Sequence, residues 1–258
     1  MITITSAQID VWLASFIWPL TRILGVIMAA PILGEHSFPI RIKIGLGVLI
    51  TFLVVPTLAP SPQINPSSLI GLLILLQEFL IGAAMGFVIR IIFAGAQLGG
   101  ELIGLQMGLG FATFFDPQTE GNTLVMSQFF ELFATLVFLS INGHLIIISV
   151  LSDSFSLFPI TNESINAITW KTIVDWGANI FIAGFSLALP IVAALLITNI
   201  GLGTLARTSP QLNIFAIGFP ITLLIGFLIL ALSLPYIIPN IQHLVEETLY
   251  LMKTLWIR

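Results

Sequence analysis

The chain has 258 residues, of which 57% are hydrophobic and only 8% charged, whereas a soluble globular domain carries about 25% charged residues. With a mean hydropathy of +1.11, this excludes an ordinary soluble domain and identifies an integral membrane protein. The net charge of −4 is scattered, with no basic stripe to neutralise phosphates, and there is no cysteine; nucleic acid is a poor partner, and disulfides, thiolate chemistry and Cys-based metal sites are removed.

About six apolar helical segments are predicted, near residues 11–33, 44–56, 69–97, 124–151, 172–200 and 212–238. Charge-free runs between Lys43 and Glu78, Asp175 and Arg207, and Arg207 and His243 each exceed the ~20 residues that span a bilayer. The first segment follows Asp10 with no preceding Lys or Arg. It is too long for a signal-peptide core and is expected to stay in the mature protein. Its Leu, Ile, Val and Phe residues contribute roughly −3 to −6 kcal/mol on an insertion scale, but Arg22 at its centre costs about +3. Pro19, Thr21 and Gly25 reduce the margin further. Such a helix packs on protein rather than facing lipid all round.

The joint EHSFPIRIK, at 35–43, brings Arg41 and Lys43, and the proline-rich PTLAPSPQINPSS, at 56–68, leads into the third segment. Glu78 and Arg90 lie inside that segment, and Glu131 and His144 inside the fourth. These groups and Glu101 have a plain reading, pairing with one another or with partner subunits, beside a transport or gating role. Six spans place Arg41, Lys43 and Arg207 on one side and Lys171, Lys253 and Arg258 on the other, so loop charge sets no orientation.

GELIGLQMGLGFATFFDP, from Gly100 to Pro117, has too many glycines for an ordinary soluble helix and too many polar groups for a lipid-facing one. Gly100, Gly104 and Gly108 recur every four residues on one helical face, with Gly95 and Gly99 one step away, and Gly82 and Gly86 repeat the spacing earlier. Small residues at this interval let backbones approach closely; tight packing alone is the bland explanation. Gly108-Leu109-Gly110 then makes helix continuation costly. Phe111, Ala112, Thr113, Phe114 and Phe115 follow as an apolar segment that need not be regular. Irregular backbone at membrane depth is tolerated where it is buried in protein or lines a cavity, and an apolar constriction closes a pore by dewetting.

Farther on, SDSFSLFPITNESIN at 152–166 and GLGTLARTSPQ at 201–211 read as joints. The second holds Arg207, a lone cation between long apolar runs. His144 has no second ligand at metal spacing, and there is no nucleophile–base pair, Walker loop or dinucleotide fingerprint. No enzymatic activity, cofactor or metal is expected, and nothing divides 1–258 into separate domains.

Four stretches resemble the FliR/SctT family of flagellar and injectisome export-gate subunits, the flagellar branch more closely. They are WPLTRILGVIMAAPILGEHSFPIRIKIGL from Trp18, the Gly100–Pro117 motif, NGHLIIISVLSDSF from Asn142, and ARTSPQLNIFAIGFPITLLIGF from Ala206. The resemblance implies a membrane-associated fold of helical hairpins, many tilted, with a FliP-like N-terminal part and a FliQ-like C-terminal part. It implies assembly with FliP-like and FliQ-like chains, an FlhB-like chain joining at the cytoplasmic side, in the inner membrane of a bacterial flagellar basal body. It also implies that the segment from Gly108 to Asp116 plugs a channel for unfolded exported proteins, while the glycine face packs against neighbouring subunits. From the residues themselves, Glu101 is read with that face as a packing and assembly residue, and Arg207 either snorkels to an interface or binds a neighbour's carboxylate or carbonyls. Two other readings remain: a small secondary transporter with helices broken near Pro190 and Pro220, and a purely structural assembly subunit.

Overall fold

The computed structural model describes residues 6–35, 37–58, 64–110, 125–161, 166–209 and 214–254. Among these the regular structure is helical, without strands. It runs α1 (Ser6–Ala29), α2 (Ile40–Val54) with a 3-10 turn at Val55–Thr57, α3 (Leu69–Gln106), α4 (Val125–Ser140), α5 (Gly143–Leu157), α6 (Ala167–Trp176), α7 (Asn179–Thr208) and α8 (Ile214–Thr254). Five helical stretches are long and apolar enough to cross a membrane, or six if α4 and α5 form one broken span. The all-α, membrane-type fold read from composition is the fold observed.

Local chemistry sets several helix ends. The Ser68 hydroxyl accepts a hydrogen bond from the Gly71 amide at 3.0 Å and starts α3, while Asn166 accepts from the Ile168 amide at 3.1 Å and starts α6; both satisfy amides that no helical carbonyl reaches. α1 stops before Pro31, which cannot donate to it. The turn that follows holds Ile32 at φ 68°, an uncommon region for a β-branched residue. Lys43 clamps this turn, donating to the carbonyls of Gly34 at 2.9 Å and Glu35 at 2.8 Å.

The boundaries differ from the sequence reading at several places: α1 ends at Ala29 rather than 33, and α2 begins at Ile40, inside the joint read at 35–43. The third segment continues to Gln106. The fourth is cut at Asn142, whose φ of 56° is one that Asn tolerates, and the fifth is divided into α6 and α7 around Gly177. Residues 201–208 are helical rather than a joint, so Arg207 sits in the last turn of α7. α8 runs through Pro235 and Pro239 to Thr254, well past residue 238. A proline costs a helix one hydrogen bond and a steric adjustment, and α8 accommodates both prolines without a break.

The chain divides into two compact units. The first comprises Met1–Arg90, Asn142–Gly177 and Glu246–Arg258. In it α1 meets α3 backbone to backbone: a Cβ on Gly82 would strike the Arg22 carbonyl, and one on Gly25 would lie 2.6 Å from the Phe79 carbonyl. Ala14, Trp18 and Ile74 form a buried cluster beside this crossing, and α2 docks Gly47 on Leu24 and Ile27 of α1.

The second unit comprises Ile91–Ile141 and Ala178–Val245. Here the end of α3 lies between two neighbours. Gly95 and Gly99 face Ala183 and Gly184 of α7, and Gly100 faces the backbone of Met126 and Ser127 in α4. Phe93 and Phe138 meet edge to face, with centroids 5.6 Å apart.

Candidate functional site

Two polar or irregular features interrupt the apolar helices, one in each unit. The first is Arg22, fully buried in the C-terminal half of α1. Its Nε donates to Glu78 Oε2 at 2.6 Å, and Nη2 donates to Glu78 Oε1 at 3.0 Å and to the Phe158 carbonyl at 3.0 Å. Nη1 donates to the Ser154 carbonyl at 3.1 Å and to Ser154 Oγ at 3.2 Å. All five guanidinium donors are thereby used, and the charge also lies 4.3 Å from the Phe155 ring centroid. The glycines at the α1–α3 crossing make this possible, because they bring Glu78 within reach of a side chain on the facing helix. Of the ionisable groups flagged inside apolar segments, Glu78 is thus paired within the chain; Arg90, Glu101 and His144 are exposed and Glu131 is half-buried.

The second feature is the end of α3. The amide of Leu109 donates to the Gly104 carbonyl at 3.0 Å and that of Gly108 to the Leu105 carbonyl at 3.0 Å. With Gly108 at φ 86°, this pair of bonds is a Schellman cap, which closes a helix through one left-handed residue. Gly108 is therefore not the third member of a helical glycine face; it is the cap that ends the helix. Gly100 and Gly104 are buried members of that face, and Gly100 is occupied by α4 of the same chain.

A seat on α8 fixes this cap. Met107 is fully buried, the Thr222 hydroxyl donates to the Met107 carbonyl at 3.3 Å, and a Cβ on Gly226 would lie 2.7 Å from Met107 Cγ. Met107, Thr222 and Gly226 lie inside the motifs that carry the resemblance, but sequence alone gives them no role. The signal was present as a second four-residue spacing of small residues, Gly218, Thr222 and Gly226. Leu109 and Gly110 are half-buried beyond the cap; Phe111, Ala112, Thr113, Phe114 and Phe115 lie outside the described residues. Glu101 is exposed on α3, and Arg207 is exposed at the C-terminal end of α7, where a cation complements the helix dipole.

Comparison with known proteins places these features in a family. The family described as bacterial export proteins, family 1, matches residues 13–248. Flagellar biosynthetic protein FliR of Escherichia coli (strain K12) is 43% identical over 98% of this chain and 96% of its own length. FliR of Pectobacterium carotovorum subsp. carotovorum is 45% identical with the same coverage, and FliR of Buchnera aphidicola subsp. Acyrthosiphon pisum is 37% identical over 98% of this chain and 97% of its own length. An apolar all-helical chain with this end-to-end likeness belongs to the bacterial export proteins, family 1, among its flagellar FliR-type members, and is a membrane subunit of the flagellar protein-export apparatus.

Proposed function

We propose that the chain is the gate subunit of that apparatus, acting over 1–258 as one unit of a channel in the bacterial inner membrane. It assembles with FliP-like and FliQ-like chains, an FlhB-like chain joins at the cytoplasmic side, and residues 108–115 plug the bore. The subunit performs no covalent step. Apolar packing of Phe111, Phe114 and Phe115 keeps the passage closed, and an exported unfolded chain displaces them.

The observation that carries this reading is the cap at Gly108. A helix seated on α8 through Met107, Thr222 and Gly226 stops at one left-handed glycine. The helix thus ends just before Phe111, Phe114 and Phe115, the residues this reading assigns to the plug. Replacing Phe111 and Phe114 with Ser, or shortening 109–115, removes contacts worth roughly 1.5–3 kcal/mol per large side chain, which shifts a closed–open equilibrium by about ten- to more than a hundredfold. The variant complex is expected to assemble and to leak ions or small dyes, read by conductance or dye uptake. An assembled and fully tight complex would refute the plug; failed assembly without leakage would assign the segment a structural role.

A further inference from the structure

The last turns of α3 have one open face, which carries Gln97 and Glu101 ahead of Leu105. Gly95 and Gly99 are seated on α7 and Gly100 on α4. At about 100° of rotation per residue, Glu101 falls roughly midway around the arc these contacts leave free. Glu101 and Leu105 are the exposed residues there, and Gln97, one turn before Glu101, is half-exposed. No ion pair holds Glu101 among the described residues; the buried carboxylate of this helix, Glu78, has one.

Open faces elsewhere in the same unit have a different character. α4 displays Leu132 and Leu136, and α7 displays Leu196, Ile197 and Ile200, surfaces suited to hydrocarbon or to apolar neighbours. A carboxylate is among the side chains least compatible with hydrocarbon, and in membrane helices such groups face a bundle interior or a water-filled cavity. An amide one turn away adds donors and acceptors that water satisfies. Leu105 then marks the return to apolar surface just before the Gly108 cap.

We propose that Gln97 and Glu101 form a water-facing wall of the export passage, so that this arc of α3 contacts water and, during transport, the polar backbone of an extended exported chain. The proposal rests on the reading of the subunit as part of a channel and adds which helix face is wetted. It requires no contact between Glu101 and a cation of a neighbouring subunit, which is the competing occupant.

The absence of cysteine permits a direct test in the full-length chain within its complex. Gln97→Cys, Glu101→Cys and Leu105→Cys are compared singly with Leu136→Cys and Ile197→Cys, using a charged, membrane-impermeant methanethiosulfonate reagent added from each side of the membrane. Because the hydrated thiolate is the reactive species, Gln97→Cys and Glu101→Cys are expected to react at least about tenfold faster than Leu136→Cys or Ile197→Cys. Rates equal to those slow controls at both 97 and 101 overturn the proposal. So does protection at 97 and 101 together with loss of co-purified subunits in Glu101→Gln, which assigns the face to a neighbour's cation. If Glu101→Cys does not assemble, Gln97→Cys decides alone.

Repeating the labelling with residues 109–115 shortened separates this inference from the plug. Fast labelling from one side only, extended to both sides by the shortening, supports both. Fast labelling from both sides in the intact complex supports the wetted wall and counts against the plug. Slow labelling before and after the shortening overturns the wall whatever the plug does.

Discussion

At the scale of single residues the costliest side chain is also the best satisfied. Arg22 is surrounded by a bidentate carboxylate, two carbonyls, a hydroxyl and an aromatic ring, all out of contact with solvent. Such a pair adds little net stability, because desolvation offsets much of the attraction, but removing one member strands the other. Arg22→Ala is therefore expected to destabilise the chain by about 3–5 kcal/mol, and Arg22→Lys to recover only part, since an ammonium has three donors and no planar fork. Arg22→Met combined with Glu78→Met removes both charges and is expected to be more stable than either single change. Thermal unfolding of the purified complex and abundance in cells measure the series, and a double variant no better than the singles would contradict the assignment. Sequence marked Arg22 as a misfit in α1 from insertion energy alone. It did not name its partners, since Glu78 lies 56 residues away and Ser154 132, and local pattern carries no information about which distant helices meet.

At the scale of elements, glycines do three jobs that one spacing rule does not distinguish. Gly82 and Gly100 permit backbone contact, Gly108 ends a helix, and Gly201 and Gly203 have nothing within 4 Å of an added Cβ. The three jobs predict opposite responses to one methyl group. Gly100→Ala drives a Cβ into the Met126 carbonyl and is expected to lower stability, and Gly108→Ala to cost about 1–2 kcal/mol through its left-handed backbone. Gly201→Ala and Gly203→Ala are each expected to raise the stability of the chain by about 0.8–1.0 kcal/mol through helix propensity. Denaturant or thermal titration of the four variants separates the classes; stabilisation by Gly100→Ala would disprove the close α3–α4 approach. The four-residue period was legible as helix packing because it depends only on helix geometry. The period does not separate these roles: 201–203 has the composition of a joint although the helix continues, and Gly108 falls in register with the glycine face although it is the cap. Turn composition records that a backbone can bend, and packing decides whether it does.

At the scale of the whole chain, helix length and exposure point to surroundings beyond a simple bilayer. α3 and α8 contain 38 and 41 residues, about twice the ~20 that cross hydrocarbon. The candidate span in α3 is 50% buried within the chain, whereas those beginning at Ile40 and Ile217 are only 22% buried. α2 presents Phe52 and Leu53, each 74% exposed, and α8 presents Leu232 at 68% and Tyr236 at 80%. A bilayer core about 30 Å thick does not cover the full length of such helices. Other subunits are expected to cover part of the remaining apolar surface, in keeping with a member of an export apparatus. A photo-crosslinking residue at Phe52 and, separately, at Tyr236 is expected to capture a FliP-like or FliQ-like chain in cells that make the whole complex. The same residues in cells lacking those chains are expected to yield no protein adduct and a lower abundance of this subunit, because apolar faces of this size left uncovered favour aggregation and degradation. Lipid adducts alone at both positions, with the other subunits present, would instead mean that α2 and α8 lie directly against hydrocarbon.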